Sequence, residues 1–186
     1  EVEGAFEALI ANKDATSWVQ TDAAAWETVL TIARTGQRGH VEMESRTNAV
    51  LLVQQILQEQ HSTVLQDAAL VETCMDVASN TELSAYPRTV AIATLLSAWN
   101  YSRQKVQDQL LQAPHGLHRL AQLLNDTDAA VASAALPLHV QLATSAALAK
   151  LLIFEQVPEF LVQNANSLES WNACYALLQH DARGHT

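Results

Sequence analysis

Apolar residues recur along this chain at helical spacing, and the resulting pattern repeats. Trp26, Val29, Leu30 and Ala33 fall at i, i+3, i+4 and i+7, the signature of an amphipathic helix ending near Gly36. Ala49, Val50, Val53, Ile56 and Leu57 mark another helix, entered past the polar loop Thr35 to Glu44 with Ser45 as its expected N-cap. Val64, Leu65 and Ala68 predict a short helix that runs into Leu70, Val71, Cys74, Met75 and Val77 and stops at Ser79-Asn80. Aligned at Ala25, Leu70, Leu117 and Val157, the middle helices start roughly every 40 to 47 residues, the period of a helical solenoid with two or three helices per unit.

The remaining segments fit the same frame. A first short helix is expected around Phe6, Leu9 and Ile10. After the loop Asn80 to Pro87 come a long helix through Ile92, Leu95, Leu96 and Trp99, a short one with Val106, Leu110 and Leu111, and a break at Pro114. His115 to Leu124, Val131 to Ala143, Ala147 to Leu152, Val157 to Val162 and Leu168 to Leu178 are each predicted helical, with Asn125-Asp126-Thr127-Asp128 as a turn. Pro137 inside one of these predicts either a kink near Ala134 or a helix that begins again at Leu138. Five Gly and four Pro in 186 residues are too few to punctuate a β-sandwich, so the chain reads as all-α. It is expected to form one domain, with modules at about 1–60, 61–100, 101–143 and 144–180. A compact helical bundle would show the same periodicity.

Several stretches resemble armadillo repeats. Gly116-Leu117-His118-Arg119-Leu120-Ala121-Gln122-Leu123-Leu124-Asn125-Asp126-Thr127-Asp128, followed by Val131, Ala134-Ala135, Leu138 and Gln141-Leu142-Ala143, is similar to the second and third helices of one repeat. Val64 to Glu72 and Ile153 to Val162 resemble the join between first and second helices, with Pro158 at a place where the family often has proline. The resemblance implies a right-handed α-solenoid of about four three-helix repeats, in which third helices line a concave surface. It also implies a ladder of amides holding an extended peptide, because an amide offers both a donor and an acceptor. Gln55, Ala98 and Gln141 stand at the ladder positions, and Leu51, Thr94 and Pro137 where the family usually has tryptophan one turn earlier. The peptide-binding array is therefore absent in its known form, and a surface for some other protein or peptide is the expectation.

Charge and composition narrow the partners. Ten Lys plus Arg against 20 Asp plus Glu leave a net charge of −10, which argues against nucleic acid. Apolar runs such as Leu148 to Phe154 are too short to span a bilayer, so no membrane partner is expected. Cys74 and Cys174 lack paired spacing, which points to a reducing, intracellular and cytoplasmic setting, and the chain's opening at Glu1 suggests a fragment of something longer. His115, His118 and His139 lack the acidic or thiol companions of a zinc site, so no metal is expected. No glycine-rich phosphate loop or nucleophile elbow is present, so no catalytic residue and no cofactor are expected. Arg34, Arg38, His40 and Arg46 crowd one loop, where an acidic partner could dock, diluted by Glu42 and Glu44. Trp26, Trp99 and Trp171 are expected in the core, whereas Trp18 sits in a polar stretch and is a candidate binding anchor.

The expectation is thus a non-enzymatic protein-binding scaffold using Leu51, Gln55, Thr94, Ala98, Pro137, Gln141 and Trp18, working within a larger complex. The alternatives are an armadillo protein of the co-chaperone type and a helical accessory domain of an enzyme or large assembly.

Overall fold

In the computed structural model, residues 23–35, 43–64, 69–113, 115–163 and 167–182 are described. Among them are ten helices and no strand. In order these are α1 (Ala23–Thr35), α2 (Met43–Val64), α3 (Ala69–Ser79), α4 (Ala85–Tyr101) and α5 (Arg103–Gln112). Then come α6 (Gly116–Leu123), α7 (Ala129–Leu142), α8 (Ala146–Phe154), α9 (Val157–Gln163) and α10 (Leu168–Ala182). The chain divides into two compact units, Glu1–Gln109 and Leu110–Thr186. The division falls inside α5. The helix expected at Phe6 to Ile10 lies outside the described residues, as do Trp18, Arg38 and His40.

In the first unit, consecutive helices pair, α1 with α2 and α3 with α4, and the pairs then stack like on like, α1 on α3 and α2 on α4. The apolar stripes explain why. Val29, Leu30 and Ala33 of α1, Leu52, Val53, Ile56 and Leu57 of α2, and Leu70, Cys74 and Val77 of α3 are all buried, together with Ile92, Leu95 and Trp99 of α4. Each such side chain contributes about 1.5–3 kcal/mol on leaving water, and no single pair could cover all of them.

Two arginines tie the pairs together. Arg46, the fourth residue of α2, donates to the carbonyls of Ala33, through Nε at 3.4 Å, and of Arg34, through Nη2. Arg88, the fourth residue of α4, donates from Nε to the Ala78 carbonyl at 2.8 Å. In each pair the second helix thus supplies a cation to the last carbonyls of the first, where free acceptors and the negative end of the helix dipole collect. The separation of Arg46 from Arg88 falls within the period read from the sequence.

In the second unit α6 packs on α7 and α8, α8 on α9 and α10, and α10 on both α7 and α9. Its helix starts are well specified. Asp128 accepts from the Ala130 N–H at 2.9 Å and itself donates from its backbone to Asp126 Oδ1 at 2.9 Å, which closes the predicted turn and caps α7. Ser145 caps α8, and Ser167 Oγ accepts from the Ser170 N–H at 3.2 Å at the head of α10. Two non-glycine residues among those described adopt positive φ, His115 (54°) and Gln156 (61°). Each immediately precedes a helix, α6 and α9 respectively, and their separation matches the same period, so one kind of left-handed joint recurs with the repeat.

Several boundaries differ from expectation. Ser45 is no N-cap: it lies inside α2, buried, because the helix starts at Met43 and its first turn is anchored through Arg46. Val64, expected to open a separate short helix, ends α2, and the rest of that expected helix, residues 65–68, lies outside the described residues. Pro87 belongs to the first turn of α4 rather than to the loop, a position where no N–H is missed. α7 runs through Pro137 without restarting at Leu138.

Candidate functional site

The residues singled out by the ladder comparison separate into two groups. Thr94 and Ala98 lie in the interior of the first unit, 0% and 1% exposed, and Thr94 Oγ1 is spent on the Val90 carbonyl at 2.8 Å. Their side chains therefore have no face to offer a partner, a correction that follows from α4 being packed on both α2 and α3. Leu51 and Gln55 of α2, one turn apart, are half-buried, as are Pro137 and Gln141 of α7, also one turn apart. These four reach the surface; Trp18 lies outside the described residues.

Of the expected cationic patch, Arg34 and Arg46 are described, and both are engaged within the fold. Two donors of Arg46 are occupied by α1 carbonyls, and burial lowers its pKa, with Glu82 acting in the opposite sense. Arg34 faces Glu72 at 4.0 Å on the surface, a pair worth no more than about 1 kcal/mol. Two of the three histidines are likewise committed elsewhere: His118 Nδ1 lies 2.8 Å from Glu155 Oε2, while His139 is fully buried with Nδ1 on the Ala135 carbonyl at 2.8 Å. Among the described residues no three His, Cys, Asp or Glu side chains gather as a metal site requires.

A concavity lies elsewhere, between α9 and α10 in the second unit. This open groove of about 610 Å³ is lined by Pro158, Glu159, Val162, Gln163, Trp171, Cys174, Tyr175 and Leu178. Trp171 is 55% exposed, Tyr175 65% and Leu178 60%, so the expectation of a core position for Trp171 is overturned. Cys174 sits beneath them, its Sγ 3.8 Å from the Pro158 carbonyl, and its thiol pKa is raised by burial and by the nearby Glu159 carboxylate. Cys74, wholly enclosed in the first unit, has its thiol pushed up to about 12 by burial and is chemically inert. A second hollow of about 390 Å³ borders the Asn125-Asp126-Thr127 turn with Ser133 and Ser167. Asp128 already occupies the α7 N-terminus there.

A sequence signal for the groove exists. α10 carries two apolar faces: Ala173, Cys174 and Leu177, which are buried, and Trp171, Tyr175 and Leu178 at i, i+4 and i+7, which are not. A helix apolar on two sides is either enclosed or awaits a neighbour, and placing Trp171 in the core takes the first alternative where the second holds.

Among the described residues no helix is long and apolar enough to cross a membrane. Comparison with protein-family models finds no match to this chain, and comparison with curated proteins finds none either.

Proposed function

We propose that this chain forms an armadillo-like α-solenoid that acts as a non-enzymatic scaffold, holding a partner protein through the exposed faces of α2, α7 and α10. Three features support the repeat: like-on-like stacking of helix pairs, the recurring arginine clamps at Arg46 and Arg88, and the recurring left-handed joints at His115 and Gln156. They are spatial echoes of the period in the sequence and do not depend on the quoted armadillo motifs. The observation that carries the binding role is the exposed stripe of Trp171, Tyr175 and Leu178, since aromatic side chains left in contiguous contact with water mark interaction surfaces.

Photo-crosslinking amino acids placed singly at Gln55, Gln141 and Tyr175 in the intact protein test this reading. Capture of one common partner from those three positions, and not from the exposed Glu72 of α3 or Gln122 of α6, is the expected result. Capture from Glu72 and Gln122 instead would refute it.

A further inference from the structure

The groove between α9 and α10 is specific enough in shape and charge to indicate what it holds. Its walls are two helices, α9 and α10, which present side chains to it, and Gln163 is the one amide among the described lining residues. An extended peptide laid there would have little besides that one amide to pair its main chain with and would bury most of its own backbone groups unsatisfied. An incoming helix brings its backbone already satisfied and needs only side-chain contacts. The stripe from Trp171 to Leu178 extends about 10 Å, or two helical turns, and Val162 faces it from α9. That matches the reach of an apolar i, i+3 or i+4, i+7 face.

Charge selects among helices. Among the described lining residues Glu159 is the one charged side chain, none is a cation, and the chain as a whole carries −10. A second copy of the chain would bring another −10 and a second Glu159 to the contact. We infer that the α9–α10 groove is a docking site for a single amphipathic helix of a partner protein, with an apolar stripe flanked by Lys or Arg, Glu159 pairing with one of those cations. This rests on the scaffold reading above and narrows it to one site and one class of partner.

Three fluorescein-labelled peptides of roughly five helical turns serve as probes, all carrying the same leucine stripe. One is flanked by Lys, one by Glu, and the third is the Lys peptide with a central proline that breaks its helix. Fluorescence anisotropy with the full chain is expected to show the Lys peptide binding about tenfold or more tighter than either of the others. Trp171→Ala, with its fold checked by circular dichroism, weakens it about tenfold, and Glu159→Lys reverses the preference between Lys and Glu peptides. Alkylation of Cys174 slows when the Lys peptide is bound.

Tight binding that ignores Trp171→Ala reports only attraction to an acidic chain and overturns the inference. Equal binding of the proline peptide assigns the groove to an extended segment instead. Sedimentation showing a dimer that Trp171→Asp disperses assigns it to a second copy. If the peptides fail while crosslinks at Gln55 and Gln141 persist, the groove assignment falls and the scaffold reading stands.

Discussion

Lowering the pH should act on this fold in part through the buried side chain of His139. It is fully buried in α7, Nδ1 donates to the Ala135 carbonyl at 2.8 Å, and Nε2 has no hydrogen bond of acceptable geometry. The neutral ring is tolerated there; the imidazolium would have to be desolvated, and this lowers the pKa from 6.5 to about 4, opposed in part by the Ala135 and Leu120 carbonyls. The unfolded chain therefore takes up the proton first. The stability due to a neutral His139 is fully present above pH 6.5 and is lost as pH falls from there to about 4. At about 1.36 kcal/mol per unit, the loss is about 2 kcal/mol by pH 5 and about 3 kcal/mol by pH 4. Urea titrations followed by circular dichroism at pH 7.5 and pH 5 measure it, with a midpoint decrease on the order of 1 M. Acidic side chains lose stability over the same range, so the informative quantity is the difference from His139→Gln, which cannot titrate. The variant should lose about 2 kcal/mol less than the parent between the two pH values. Parallel losses in parent and variant would refute the burial argument.

Other substitutions test the clamps and joints. Arg88→Ala should cost about 2–4 kcal/mol, because it leaves the Ala78 carbonyl without that buried, charge-assisted donor, whereas Arg34→Ala should cost under about 1 kcal/mol; thermal melts separate the two. Gln156→Gly should raise stability by about 1 kcal/mol, since glycine occupies φ near 61° without the Cβ penalty, and a lower melting temperature would contradict that. Pro137→Ala restores an N–H to α7 opposite the Ser133 carbonyl and should stabilise the chain by up to about 3 kcal/mol, measured by urea midpoint.

The helices are largely legible in the sequence because the apolar periodicity is strong: the turn at Asn125 to Asp128 and the stop at Ser79-Asn80 stand where the sequence predicts them, although α7 starts at Ala129, two residues before the expected Val131. The start of α2 is not, since a serine before an apolar run serves equally as a cap or as a small buried residue, and the Arg46 clamp that decides the matter is a contact with another helix. The site is less legible. Thr94 and Ala98 follow from aligning ladder positions, and a linear register does not reveal that α4 has neighbours on both sides. The general tendency of tryptophan points Trp171 inward, although the second apolar face of α10 is visible in the spacing. The arginine spacing is also present in the sequence, but an arginine says nothing of its partner until the helix ends are placed.

Hydrogen exchange of the intact chain in graded sub-denaturing urea addresses the modular stacking most directly. If stacked helix pairs hold the fold through neighbour contacts, amides of α1 to α4 open together as one sub-global unit, and those of α6 to α10 open as another with a different free energy and urea dependence. Exchange of every core amide through one opening, with a single free energy and a single urea slope, would contradict that account.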